Sequence, residues 1–210
     1  RRLFAEGSFN AAFVPSYSSE LLKGKSKATK FANDAVNFLM LGLLFIVIII
    51  EILMPGFVYL IAPGFYEDKS KLELTTLLTR ITFPFLLFIS LASFFSAILN
   101  SHNRFAAASA APIILNVVLI ITLLCAKYFD DYLVIYMSYG VSIAGFIQMI
   151  FLIFVLKKIY KPQFKVNLSI DNKTKRFFKK LLPSIFSSGV TQINILIGTI
   201  IASFQAGAVS

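Results

Sequence analysis

Cysteine and histidine are almost missing from these 210 residues, one of each (Cys125 and His102), and tryptophan is absent. A single thiol can make neither an intrachain disulfide nor a thiolate metal cluster. One histidine beside a loop reads as an interfacial residue rather than a ligand or a general base. Glycine-rich phosphate loops, dinucleotide fingerprints and zinc spacings are missing too, so nothing points to ATP hydrolysis, a cofactor or a metal. Charge is scarce: 14% of the residues are Asp, Glu, Lys or Arg, against about 25% in an ordinary soluble domain. If such a chain does work, that work is expected to be moving something.

Hydrocarbon is abundant. Apolar residues make up 58% of the chain and the mean hydropathy is +0.81, so the solvent it folds in is lipid. A helix crosses a bilayer in about 20 residues. Residues 81–101, 105–126, 132–156 and 181–210 are uncharged, and 35–66 are uncharged apart from Glu51. These are five full spans, and residues 1–19 form part of a sixth. Barrel strands would alternate apolar and polar residues, whereas these runs are apolar all round. The expected fold is therefore all-α, a polytopic transmembrane helix bundle of about six spans. Their approximate limits are 1–19 (partial), 35–61, 77–101, 105–126, 132–156 and 181–206, with a basic cytoplasmic loop and interfacial helix over 157–180.

Orientation follows from the lysines and arginines, which short cytoplasmic loops accumulate. Lys23, Lys25, Lys27 and Lys30 follow the first segment, Arg104 joins the third to the fourth, and nine basic residues from Lys157 to Lys180 precede the last. Those links are assigned to the cytoplasm. The alternate links, one with Glu67, Asp68, Lys69, Lys71 and Glu73 and the other with Lys127, Asp130 and Asp131, carry no basic excess and face outward. The net charge of +10 is explained by this topology and by attraction to anionic lipid head groups, not by nucleic acid. The run 157–180 reads as a solvated loop leading into an interfacial helix.

Polar groups stand where lipid would forbid them. Arg2, Glu6 and Asn10 recur every four positions and share one helix face. Inside a membrane such a stripe lines a bundle interior or a wet cavity, because a charge at the bilayer centre costs at least about 2.5–3.5 kcal/mol; at an interface the arginines would merely snorkel. Glu51 and Arg80 are both placed toward the outer interface. Pro84, Pro112 and Pro183 mark kinks, and Ala106 to Ala111 with Gly140 and Gly145 let helices approach closely. Gln192 and Asn194 either bond between helices or line a cavity.

The stretch from Arg1 to Pro15, RRLFAEGSFNAAFVP, resembles the signature of the MurJ/MviN family. So do Ala62-Pro63-Gly64-Phe65, Thr82-Phe83-Pro84-Phe85, Ile89 to Ser93 with Ala97 to Ser101, and Ile201-Ala202-Ser203-Phe204 running into the final Gly-Ala-Val-Ser. The resemblance runs in order from end to end. It implies a fourteen-helix, two-lobe transporter of the multidrug/oligosaccharidyl-lipid/polysaccharide exporter superfamily, of which this chain supplies helices 2–7. The rest of that chain, helix 1 and helices 8–14, is then an expected partner, and the working protein is expected to continue at both ends. The implied activity is that of a lipid II flippase in the bacterial cytoplasmic membrane, carrying the undecaprenyl-pyrophosphate-linked peptidoglycan precursor outward by alternating access. Arg1 and Arg2 align with the family's cavity arginines, Glu6 would orient them or balance their charge, Asn10 extends the stripe, and Ser210 aligns with a cavity position. Some members use sodium bound partly by an acidic residue, but Gly198 takes that place here, so the resemblance does not carry sodium coupling to this chain. The alternatives are a polysaccharide-lipid flippase or multidrug exporter of the same architecture, or a noncatalytic membrane scaffold.

Overall fold

The computed structural model describes residues 8–127, 132–163 and 172–204. Among them every regular element is helical: α1 Ser8–Leu22, α2 Lys25–Ile52, α3 Met54–Ile61, a 3-10 turn Pro63–Glu67, α4 Lys69–Thr82, α5 Phe85–Ser101, α6 Phe105–Ala126, α7 Leu133–Leu156 and α8 Asn172–Ser203. In hydrocarbon a backbone must satisfy its own N–H and C=O groups, and only helices and closed barrels do so.

Among the described residues, four helical stretches are long and apolar enough to cross a membrane: Lys25–Ile52, Lys69–Ser101, Phe105–Ala126 and Leu133–Leu156. The second contains both α4 and α5, interrupted at Phe83 and Pro84, where the proline ring removes a helix donor. The helix holding the expected span 35–61 begins at Lys25, ten residues earlier, directly after Gly24, whose φ of 123° ends the preceding turn. It stops at Ile52, and after Leu53 the chain restarts as α3 with Pro55 in its first turn. Within 157–180, residues 157–159 form a turn, 160–163 are irregular, and from Asn172 onward the chain already belongs to α8.

The core gathers around Phe13, which is fully buried. Its ring lies 5.6 Å from that of Tyr17, 5.9 Å from Phe31, 4.8 Å from Phe94 and 5.8 Å from Phe177. One side chain thus joins α1 to α2, α5 and α8. Between helices in lipid the attraction is dispersion rather than the hydrophobic effect, so aromatic pairs at about 0.5–1.5 kcal/mol each are efficient fasteners. α7 closes the same core with Leu152 and Leu156, both fully buried.

Small residues set the remaining contacts. A Cβ on Gly140 would come within 2.6 Å of the Thr122 side chain, and one on Gly145 within 2.5 Å of the Phe85 ring, so these glycines bring α7 against α6 and α5. Gly64, in the 3-10 turn, lies so close to the Ser203 carbonyl of α8 that a Cβ there would collide with backbone. Gly42, inside α2, has open space around it.

Gly64→Ala is therefore expected to lower the thermal midpoint, because backbone cannot move aside. Gly42→Ala should raise stability by about 0.5–1 kcal/mol through helix propensity alone. Thermal unfolding of the full-length protein in detergent compares the two, and a Gly64→Ala protein as stable as wild type would contradict the packing described.

Candidate functional site

Arg1, Arg2, Glu6 and Ser210 lie outside the described residues, and of Asn10 the backbone is described, in the first turn of α1. Further along α1, Phe13, Tyr17 and Glu20 recur at helical spacing and are all buried. The Tyr17 hydroxyl lies 3.1 Å from His102 Nε2 at the end of α5, and Glu20 pairs with Lys23 at 2.8 Å. The lone histidine therefore has a partner 85 residues away. Burial, then the charges of Arg104 and Lys25, hold its pKa below the ordinary 6.5, so the ring is neutral at pH 7.

The same end of the bundle carries a basic groove of about 440 Å³ along the first turns of α2. Lys25, Ser26, Thr29 and Lys30 line it with Asn33, Asp34, Asn37 and Gln163. Asn33 is held in place: its Oδ1 accepts from the Tyr160 hydroxyl at 2.6 Å and from the Gln163 N–H at 3.2 Å. Burial raises the Tyr160 pKa, reinforced by Tyr17 and Asp34, which keeps the phenol protonated as a donor. Two ammonium groups, one carboxylate and two hydroxyls line it with neutral amides, at the end the lysine bias assigns to the cytoplasm. The sequence shows the charges; their grouping with Gln163 depends on a contact across 130 residues.

At the opposite end Glu51 and Arg80 form a pair. The carboxylate is 3.5 Å from Arg80 Nε, and Arg80 also approaches the Glu51 carbonyl at 3.5 Å. Read separately, each is an interfacial residue; together they neutralise one another between α2 and α4. Asp68 caps α4 nearby, accepting from the N–H groups of Ser70 and Lys71. The Ser70 hydroxyl bond leads the causes that lower its carboxyl pKa. Gly64 N–H donates to Ser203 Oγ at 3.1 Å, so two of the sequence motifs, Ala62 to Phe65 and Ile201 to Phe204, meet here.

A second cavity, about 280 Å³, opens between α5, α6 and α7 and is lined by Ser93, Ser96, Asn100, Ser109 and Gln148 among apolar neighbours. Sequence reasoning missed it, because in long apolar runs single Ser, Asn and Gln residues give no sign of facing one another.

A family model described as "Lipid II flippase MurJ" matches residues 1–210. The chain is 39% identical over 214 residues to a protein named probable lipid II flippase MurJ from Rickettsia prowazekii (strain Madrid E), covering 100% of this chain and 41% of that protein. It is 41% identical over 222 residues to the protein of the same name from Rhizobium tropici, covering 100% and 40% respectively. A solved structure titled "Lipid II flippase MurJ, inward closed conformation" superposes with a TM-score of 0.80 at 26% identity, over 99% of this chain and 42% of that one. The chain thus spans about two fifths of the length of the relatives it matches.

The Tyr17 and His102 contact generates a pH dependence. A histidine whose folded pKa is lowered favours the native state above its unfolded pKa, and that contribution is lost as pH falls below about 6.5 toward the folded value. Thermal midpoints of the full-length protein at about pH 7.5 and about pH 5.5 should differ more for wild type than for His102→Gln; equal differences would remove the histidine from the account.

Proposed function

The chain belongs to the MurJ family of lipid II flippases, and from that membership we propose that it forms one wall of a carrier moving lipid II from the inner to the outer leaflet. It is a multi-pass protein of the bacterial inner membrane. The match of the family along all 210 residues carries the reading, since it includes the arginine-bearing stretch from Arg1 to Asn10. The solved relative at a TM-score of 0.80 supports it through the fold.

The chemistry suits the cargo. A pyrophosphate cannot cross hydrocarbon unaided and needs guanidinium partners in a wet cavity, where paired N–H donors match its oxygens. Arg1 and Arg2 take that role, Glu6 balances and orients them, and Asn10 and Ser210 add neutral hydrogen bonds. The polyprenyl tail stays in lipid. Helices 2–7 of a fourteen-helix carrier form this wall, and the remaining helices of the same chain supply the other.

Transport proceeds by alternating access, the two lobes rocking about the central site. No bond is made or broken, so the protein is a transporter rather than an enzyme. An inside-negative potential favours outward movement of the anionic head group by about 2.3 kcal/mol per full charge per 100 mV. Electrical driving therefore needs no ion carried by a carboxylate at the place of Gly198.

Lipid II arrival at the outer leaflet is the test, in cells depleted of their own flippase and supplied with the full-length protein at equal membrane abundance. The intact protein should restore arrival, and the Arg1→Ala, Arg2→Ala double variant should lower it at least about a hundredfold, the loss of two charge-assisted contacts at about 1.5–3 kcal/mol each. Restoration by neither version would point to another polyprenyl cargo; restoration by both would displace the arginine site.

A further inference from the structure

The cleft between α5, α6 and α7 places polar groups where its surroundings are hydrocarbon. Ser93, Ser96 and Asn100 share one face of α5 by their spacing, with Ser109 on α6 and Gln148 on α7 completing the lining. Gln148 is 5% exposed and its Oε1 has no hydrogen-bond partner. A buried amide oxygen left without a donor costs about 1–3 kcal/mol, so the position is suited to something that donates to it. Pro112 in the same wall lacks an N–H, which leaves the Ala108 carbonyl, also in the wall, without its usual helix donor.

The remaining chemistry narrows the occupant. None of the lining residues described is Asp, Glu, Lys, Arg or His, so neither a phosphate nor a bare cation finds a counter-charge. At about 280 Å³ the cleft is close to the lower end of ligand-sized pockets, about 300–1,000 Å³. Phe105, a residue 57% exposed, lines it and offers an apolar face beside hydroxyls and amides. Hydroxyl donors for Gln148 and Ala108, acceptors for the serines, and an apolar ring face for Phe105 together describe a sugar ring.

We infer that this cleft is a subsite for the uncharged carbohydrate part of a lipid-linked saccharide, separate from the arginines that take the pyrophosphate. The inference rests on the flippase reading and deepens it. Asn100 lies two residues before His102, so one end of the cleft lies near the end assigned to the cytoplasm, where the cargo enters.

The test uses the purified full-length protein and two probes, undecaprenyl pyrophosphate and undecaprenyl pyrophosphate carrying a disaccharide. Gln148→Leu should raise the Kd for the saccharide-bearing probe about tenfold, the equivalent of one buried hydrogen bond, and leave that for the bare pyrophosphate unchanged. Ser109→Leu, at an exposed position of α6, fills the cleft without disturbing the core and should act the same way, which keeps the test decisive if the first variant folds poorly. No change with either probe, or an equal loss with both, overturns the subsite. A wild-type protein that binds neither probe defeats the flippase reading itself, a result distinct from loss of sugar selectivity alone.

Discussion

Hydrocarbon supplies no hydrogen-bond partner to a peptide group and no solvation to a charge, and the described structure obeys that constraint throughout. The described backbone of the spans is helix, and a proline stands at each of two breaks in it: Pro55 at the restart after Leu53, and Pro84 between α4 and α5. Among the described residues, Glu51 and Arg80 form an ion pair between α2 and α4. Because so few side chains can be polar, those that are polar and buried carry most of the functional information.

The two ends of the bundle differ in how they are built. At the end assigned to the cytoplasm, Phe13 ties four helices together, and Tyr17, His102, Asn33 and Tyr160 form hydrogen-bonded contacts around that aromatic core. At the other end the chain breaks into α3, a 3-10 turn and α4, and α8 reaches it through Gly64 and Ser203. A firmly tied end beside a segmented one suits the rocking proposed for this lobe. The proposed cargo contacts divide in the same way as the cargo itself, with arginines for the pyrophosphate and the cleft of α5, α6 and α7 for the sugar.

Much of this was legible in the sequence because membrane crossing is a one-dimensional property. Gaps between charges marked the helices of the bundle, and ordered motifs identified the family. The start of α2 was not legible, since Lys25, Lys27 and Lys30 look like a loop although the helix already begins at Lys25. Glu51 with Arg80, Tyr17 with His102, and Gly64 with Ser203 are separated by 29, 85 and 139 residues, and no local pattern records such pairs. Of the candidate site, the sequence supplied the arginine stripe through spacing and resemblance. Gln148 remained invisible because one amide in a 24-residue apolar helix has a structural explanation until its neighbours are known.

The central claim is that the full-length protein itself moves lipid II across a bilayer. Purified protein in lipid vesicles, with labelled lipid II placed in one leaflet and its appearance in the other followed over time, measures this without the rest of the cell. The account predicts transfer well above that of protein-free vesicles, faster when the membrane potential is negative on the side from which the head group leaves. Transfer no faster than in protein-free vesicles, from a protein shown to be folded and inserted, would contradict it.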